Sequence, residues 1–221
     1  MEQLRARIGA ALARAGDPER PVTIVAVTKQ CPAAVVDALA AEGLADIGEN
    51  RVQEALAKAP DVRASVRWHL IGHLQTNKAR RAASLFSVVH SVDSERLVEA
   101  LAATRRPLRV FLQVNVSGED TKSGVAPEGV RGLLRAALAA DGLEVAGLMT
   151  MAPYDEDPER ARPHFRALRQ IRDDLAAFGD GPPLPALSMG MSGDFETALE
   201  EGATLIRIGS ALVEGIAAGD R

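Results

Sequence analysis

Read from its N-terminus, the chain alternates two textures. Short β-branched apolar runs give way to Ala- and Leu-rich stretches whose apolar positions recur at helical spacing. The clearest run is VTIVAVT at 22–28. A run that is apolar at nearly every position marks a strand covered on both faces, as in a parallel sheet. Residues 2–15 predict a leading helix, and after 22–28 comes helix 32–42, with Pro32 near its first turn, where a missing N–H costs little. The pattern then repeats as strand 44–47 and helix 50–58, strand 67–71 and helix 75–83, strand 86–90 and helix 94–104. Asp93 or Ser94 is placed to cap that last helix. Strand 108–116 and helix 127–139, strand 143–149 and helix 158–178, strand 184–188 and helix 192–201, and strand 204–208 and helix 210–217 complete the series.

Alternating strands and helices predict an α/β fold with a parallel sheet. About eight strand–helix units predict its closure into a (β/α)8 TIM-type barrel, here with an extra N-terminal helix. Spacing alone also allows a doubly wound open sheet. The Gly/Pro-rich FGDGPPLP at 178–185 sits between a helix and the next strand and reads as a long loop. No linker divides the chain, so residues 1–221 read as one barrel domain, a length within the roughly 200–250 residues usual for such barrels.

Composition narrows the function classes. The net charge of −4 shows no basic stripe of the kind nucleic-acid binders carry. The one cysteine, Cys31, excludes an intramolecular disulfide and fits a reducing compartment. The N-terminus mixes acidic and basic residues and lacks the apolar centre of a signal peptide. No stretch reaches the roughly 20 apolar residues of a membrane span. A soluble cytoplasmic protein without nucleic-acid or membrane partners is expected.

In such a barrel the chemistry lies at the C-terminal ends of the strands. Lys29 closes the 22–28 strand. It reads either as an ordinary rim lysine or as an amine reaching into the barrel mouth, where desolvation eases loss of its proton and lets it form a Schiff base with an aldehyde. The loops after strands seven and eight are the recurrent phosphate site of these barrels. Here they are SMGMSGD, with Ser188, Ser192 and Gly193, and RIGSALV, with Arg207, Gly209 and Ser210. Ser192 and Ser210 also read as plain helix N-caps. A lysine and two phosphate-type loops suggest a phosphorylated aldehyde. Pyridoxal 5′-phosphate (PLP) fits, and so does the substrate of a class I aldolase, although a lysine on strand one makes the aldolase less natural.

Other polar and soft residues read more blandly. His69 and His73 straddle a strand end and suggest core hydrogen bonding, not a helical metal pair. Cys31 reads as a buried structural thiol. Met149, Met151, Met189 and Met191 serve either as an apolar wall of the site or as plain packing. YDEDPER at 154–160 reads as solvated, and Lys78 and Lys122 sit near the rim as possible relays of a cofactor.

The motifs AVTK (26–29), IGENRVQEA (47–55), WHLIGHLQTNKAR (68–80), VNVSGEDTKSGV (114–125), GLMTMAP (147–153), LSMGMSGDFETAL (187–199) and IRIGSALVEG (206–215) resemble, in order, those of the pyridoxal phosphate homeostasis proteins, the YggS/PROSC family. These are relatives of the barrel domain of alanine racemase. The resemblance implies a fold-type III PLP barrel that holds PLP as a Schiff base on Lys29 for intracellular PLP homeostasis, without known catalytic turnover. It implies Asn50 beside the cofactor, Ser188, Ser192, Gly193, Gly209 and Ser210 around the phosphate, and Arg207 facing the pyridine nitrogen. Apo forms of PLP-dependent enzymes are the implied transient partners. A cationic arginine at the ring nitrogen disfavours its protonation and weakens the ring as an electron sink. Thr28 replaces a common serine, and Ala33 stands where the racemase has a phosphate-binding tyrosine. The chain stops soon after strand eight and has one tyrosine, Tyr154. A monomeric carrier without metal is therefore expected, with a PLP-dependent amino-acid racemase as the alternative.

Overall fold

The computed structural model describes residues 1–119, 122–177, 179 and 184–213. Helix α1 (Glu2–Arg14) leads. Then come β1 (Thr23–Val27), α2 (Ala33–Ala41), β2 (Asp46–Glu49), α3 (Val52–Lys58), β3 (Arg67–Leu70), α4 (Ala79–Ala82), β4 (Val88–Val92) and α5 (Glu95–Ala102). The series continues through β5 (Leu108–Gln113), α6 (Val130–Ala139), β6 (Leu143–Met149), α7 (Arg162–Ala177), β7 (Ala186–Met191), α8 (Phe195–Glu200), β8 (Leu205–Ile208) and α9 (Ser210–Val213). The strands pair in parallel in chain order, and β8 returns to β1 to close the barrel. The open-sheet alternative is thereby excluded. Among the described residues no helix is long and apolar enough to cross a membrane.

Strand side chains alternate between two environments. Ile47, Val89, Leu112, Leu148, Leu187 and Ile206 point outward and pack with Val36, Leu101, Leu134, Phe165 and Phe195 of the helices in one continuous core. A smaller cluster of Val88, Phe111, Ala146, Met149 and Ala186 lies apart from it. These residues belong to the inward-facing rows, which also carry His69, His90, Ser188 and Arg207, hydrogen-bonded to one another. Helix α1 buries Leu4, Ile8, Ala11 and Leu12, the i, i+4, i+7, i+8 stripe of an amphipathic helix. It packs on α8, with the Arg7 guanidinium 4.6 Å from the Phe195 ring centre and hydrogen-bonded to both carboxylate oxygens of Glu196.

Three strands lie later than the hydrophobic pattern predicts. The second strand runs 46–49 instead of 44–47, because Asp46 finds a partner in His69 of β3 and Glu49 one in Lys58 of α3, so both are satisfied as strand residues. The fourth runs 88–92 instead of 86–90, and draws His90 and Ser91 into its buried centre. The seventh runs 186–191 instead of 184–188, so Ser188 lies within the strand and not at its end. Ser94 occupies the N-cap position of α5 but makes no side-chain capping bond. The predicted helix 75–83 divides into a 3₁₀ turn and the short α4. Most of the predicted loop 178–185 and the end of helix 210–217 fall outside the described residues.

Between β7 and β8 the pairing slips from Ser188–Leu205 to Met191–Arg207, three residues facing two. This bulge re-aims the end of β7 toward the barrel mouth. Gly190 makes it possible: its φ is +92°, and an added Cβ would sit 2.6 Å from the Ala198 Cβ and 3.0 Å from the Phe195 Cα. Gly190→Ala should therefore destabilise the protein by about 2–4 kcal/mol. Gly9, inside α1 with nothing within 4 Å of an added Cβ, is the control. Gly9→Ala should stabilise by about 0.5–1 kcal/mol. Urea unfolding of both variants measures the pair, and equal effects would contradict the assignment.

Candidate cofactor site

The C-terminal ends of the strands surround a cavity of about 680 Å³, inside the roughly 300–1,000 Å³ typical of small-molecule sites. Lys29 and Val27 of the first strand unit, Asn50 after β2, and Ser192, Gly193, Arg207, Gly209 and Ser210 all line it. Seven of the eight sequence-derived site residues thus converge on one cavity.

Lys29 is carried there by the alternation of β1, in which Val27 also faces the cavity. The peptide just before it is gripped from below. The Thr28 hydroxyl donates to Glu49 Oε1 at 2.7 Å, and Lys58 Nζ donates both to that oxygen at 2.5 Å and to the Thr28 carbonyl at 2.7 Å. Glu49 is fully buried, and its second oxygen has no partner. Gln30, directly after Lys29, has φ of +61°, a left-handed conformation that costs a non-glycine residue about 1–2 kcal/mol. The buried ion pair and the tight turn together fix where the Lys29 side chain starts. Cys31 is half-buried, not buried as expected, and burial pushes its thiol pKa up, which makes it a poor nucleophile.

The two loops opposite are joined to each other. The Gly209 N–H donates to the Ser192 hydroxyl oxygen at 3.3 Å. Asp194, not Ser192, is the N-cap residue of α8, and its carboxylate accepts the Met191 N–H at 2.5 Å. Burial pushes the Asp194 carboxyl pKa up, against the pull of that hydrogen bond and of Arg207. Ser192 therefore presents its hydroxyl toward the cavity side of the loop and not into a helix cap.

Arg207 forms the floor. Its Nη1 donates to Ser188 Oγ at 2.8 Å and its Nη2 to the Thr150 carbonyl at 2.9 Å. Burial pushes its pKa down to about 10, with Asp194 opposing, so the guanidinium stays charged at neutral pH. Among the described residues no carboxylate lies within ion-pairing distance of it. Ser188 is the correction to the sequence reading. It is fully buried beneath the cavity and does not line it. Its hydroxyl also meets His90 Nδ1 at 2.8 Å.

That last contact opens a file of polar groups whose linkage sequence reading missed. His90 Nε2 and His69 Nδ1 lie 2.9 Å apart, and His69 Nε2 lies 2.8 Å from Asp46 Oδ1. The expectation that His69 is a core hydrogen-bonding histidine holds, whereas His73 is exposed and separate, 3.7 Å from Asp93. The four methionines divide: Met149 and Met189 are packed in the core, and Met151 and Met191 wall the cavity. Lys78 and Lys122 do not line it. Tyr154, Asp155 and Asp194 do, and only their place on the loops after strands six and seven hinted at this.

A lysine amine, a buried cation, hydroxyls and glycine loops around one partly apolar cavity suit a flat, phosphorylated aldehyde. The family described as "Alanine racemase, N-terminal domain" matches residues 1–215. A pyridoxal phosphate homeostasis protein of Aquifex aeolicus is 42% identical over 213 residues, covering 93% of this chain and 92% of the relative. Its counterpart in Pseudomonas aeruginosa is 44% identical over 217 residues, covering 95% and 91%. PipY of Synechococcus elongatus, solved with PLP bound, superposes with a TM-score of 0.79 at 36% identity, covering 93% of this chain and 99% of its own. The chain belongs to the family of pyridoxal phosphate homeostasis proteins, built on the alanine racemase N-terminal barrel.

The buried imidazoles give a pH signature. Burial lowers the pKa of His69, against Asp46, and holds that of His90 well below its ordinary value, with His69 and the Arg207 charge adding to the effect. As pH falls, the unfolded chain takes up these protons first, near 6.5, so stability is full above that pH and declines below it toward the folded values. Urea midpoints should fall between about pH 7 and pH 5, and His90→Gln should flatten that decline. A flat wild-type profile over this range would contradict the buried neutral pair.

Proposed function

We propose that this chain binds pyridoxal 5′-phosphate in the barrel-mouth cavity, holds it as a Schiff base on Lys29, and serves as a carrier of the cofactor, not as a catalyst. The observation that carries the reading is that the Lys29 amine, the Arg207 guanidinium and both hydroxyl-bearing loops border one cavity. The residues fit the group on their own chemistry. Arg207 is a buried cation whose known partners are neutral acceptors, so a further acceptor such as a pyridine nitrogen or an anion in the cavity is favourable. Ser192, Gly193, Gly209 and Ser210 would take the phosphate, and Asn50 would lie beside the ring. Bound there, the cofactor supplies the aldehyde for the lysine and a conjugated ring.

The same residues argue for holding over turnover. The Arg207 cation opposes protonation of the ring nitrogen, which withholds the electron sink that carbanion chemistry needs. The names of the Aquifex and Pseudomonas relatives support this reading, as does the PLP-bound PipY structure. In this account residues 1–221 act as one monomeric, cytoplasmic cofactor-binding unit that hands PLP to apo forms of PLP-dependent enzymes.

Lys29→Ala should abolish the imine absorbance while leaving noncovalent binding through the loops. Ser192→Ala combined with Ser210→Ala should keep the imine but weaken PLP affinity by roughly 10- to 100-fold. An imine band that persists in Lys29→Ala would move the covalent site to another lysine. Tyr154 on the cavity rim is the one feature that favours a racemase. Steady α-proton exchange of amino acids in deuterated water, lost in Tyr154→Phe, would replace the carrier reading with that one.

A further inference from the structure

The polar file through the barrel has only one consistent arrangement of protons. It runs from Asp46, at the N-terminal mouth beside Arg67, through His69, His90 and Ser188 to Arg207 under the cofactor cavity. Burial pushes the Asp46 carboxyl pKa up, but the hydrogen bonds from His69 and Arg67 and the charge of Arg67 outweigh it and hold the carboxyl below its ordinary value. Asp46 is thus an anion and can only accept. His69 must donate from Nε2. A neutral imidazole has one donor and one acceptor nitrogen, so His69 Nδ1 accepts and His90 Nε2 donates to it. His90 Nδ1 then accepts, and the Ser188 hydroxyl must be its donor. The Ser188 oxygen is left with its lone pairs turned to Arg207, which donates. With both imidazoles neutral, reversing any single link sets donor against donor or acceptor against acceptor.

We infer that Asp46, His69, His90 and Ser188 form a tautomer-locked chain that positions Arg207 for the cofactor ring from inside the barrel. Both histidines carry their proton on Nε2, and the carboxylate at one mouth fixes which way the Ser188 hydroxyl points near the other. Ser188 is a positioning residue, which explains why it sits beneath the cavity and not on it. The groups facing His69 are Asp46, Arg67, Arg109 and His90; those facing His90 are His69, Ser188, Arg207 and the Phe111 ring, stacked with centroids 4.6 Å apart. Among the described residues no other charged group faces either imidazole. The inference rests on the reading of Arg207 as the cofactor-ring residue for its functional consequence, but not for the proton order itself.

The two parts separate experimentally. In the protein without added cofactor, ¹⁵N NMR of the imidazoles should show both His69 and His90 as Nε2–H tautomers at neutral pH. Asp46 borders the opposite, N-terminal mouth and does not line the cofactor cavity. Asp46→Asn offers an amide donor in place of an acceptor, so it frees the chain to reverse, and the His90 tautomer should shift although His90 does not touch residue 46. With PLP, Asp46→Asn should weaken affinity by roughly 2- to 10-fold and shift the imine absorbance or its pH midpoint. In a Ser188→Ala background, Asp46→Asn should have no further effect, and Ser188→Thr, which restores the hydroxyl, should restore the coupling. If Ser188→Ala does not fold, the Asp46→Asn tautomer and affinity measurements decide alone. Unchanged His90 tautomer and unchanged PLP affinity in Asp46→Asn would overturn the inference, as would multiplicative effects of the two substitutions. Failure of the wild-type protein to bind PLP would instead overturn the proposed function and leave the tautomer result standing.

Discussion

A guanidinium inside the barrel is the constraint to which the rest of the interior answers. Barrels of this class ordinarily fill their interior with layers of branched apolar side chains. Arg207 occupies such an inward position on β8, fully charged and almost fully buried. Taking an ion out of water costs several kcal/mol even after relaxation unless its N–H groups find acceptors. Among the described residues no carboxylate supplies them directly. Ser188 and the Thr150 carbonyl do, and the serine is in turn held by two neutral histidines that end on Asp46. Neutral acceptors hold the cation without cancelling it, so positive charge remains available at the cavity floor.

The lysine is handled by the opposite device. Lys29 itself projects into the cavity, and the polypeptide beneath it is immobilised by an outward-facing ion pair between Glu49 and Lys58 that closes on the Thr28 peptide. One arm of the site is thus anchored in the layer between sheet and helices, and the other in the barrel lumen. Both depend on the period-two alternation of the strands, which sends Val27 and Lys29 inward and Thr28 and Glu49 outward. The β7 bulge at Gly190 completes the geometry by turning Met191 and Ser192 over the cavity while leaving Ser188 below it.

Much of this was legible in the sequence. The apolar run before Lys29 gave the strand, the count of units gave the barrel, and the rule that strand ends carry chemistry brought Lys29 and the two loops together, with Asn50 added by the family resemblance. What escaped was the charged and polar content of the strands. Asp46, Glu49, His90 and Ser188 each break a hydrophobic pattern, and the expected strands 44–47, 86–90 and 184–188 stop before or at the last three of them, short of where the observed strands end. They are tolerated because each is satisfied by a partner distant in sequence, and no local pattern encodes such a partner. The residues hidden from the pattern are the ones that hold Lys29 and Arg207 in place.

The account stands most directly on Lys29 as the covalent point of attachment. Borohydride reduction of the PLP-loaded protein followed by peptide mapping tests it. The account predicts a single pyridoxyl adduct on Lys29. An adduct on Lys58, Lys78 or Lys122 with Lys29 unmodified, or no adduct at saturating cofactor, would contradict it.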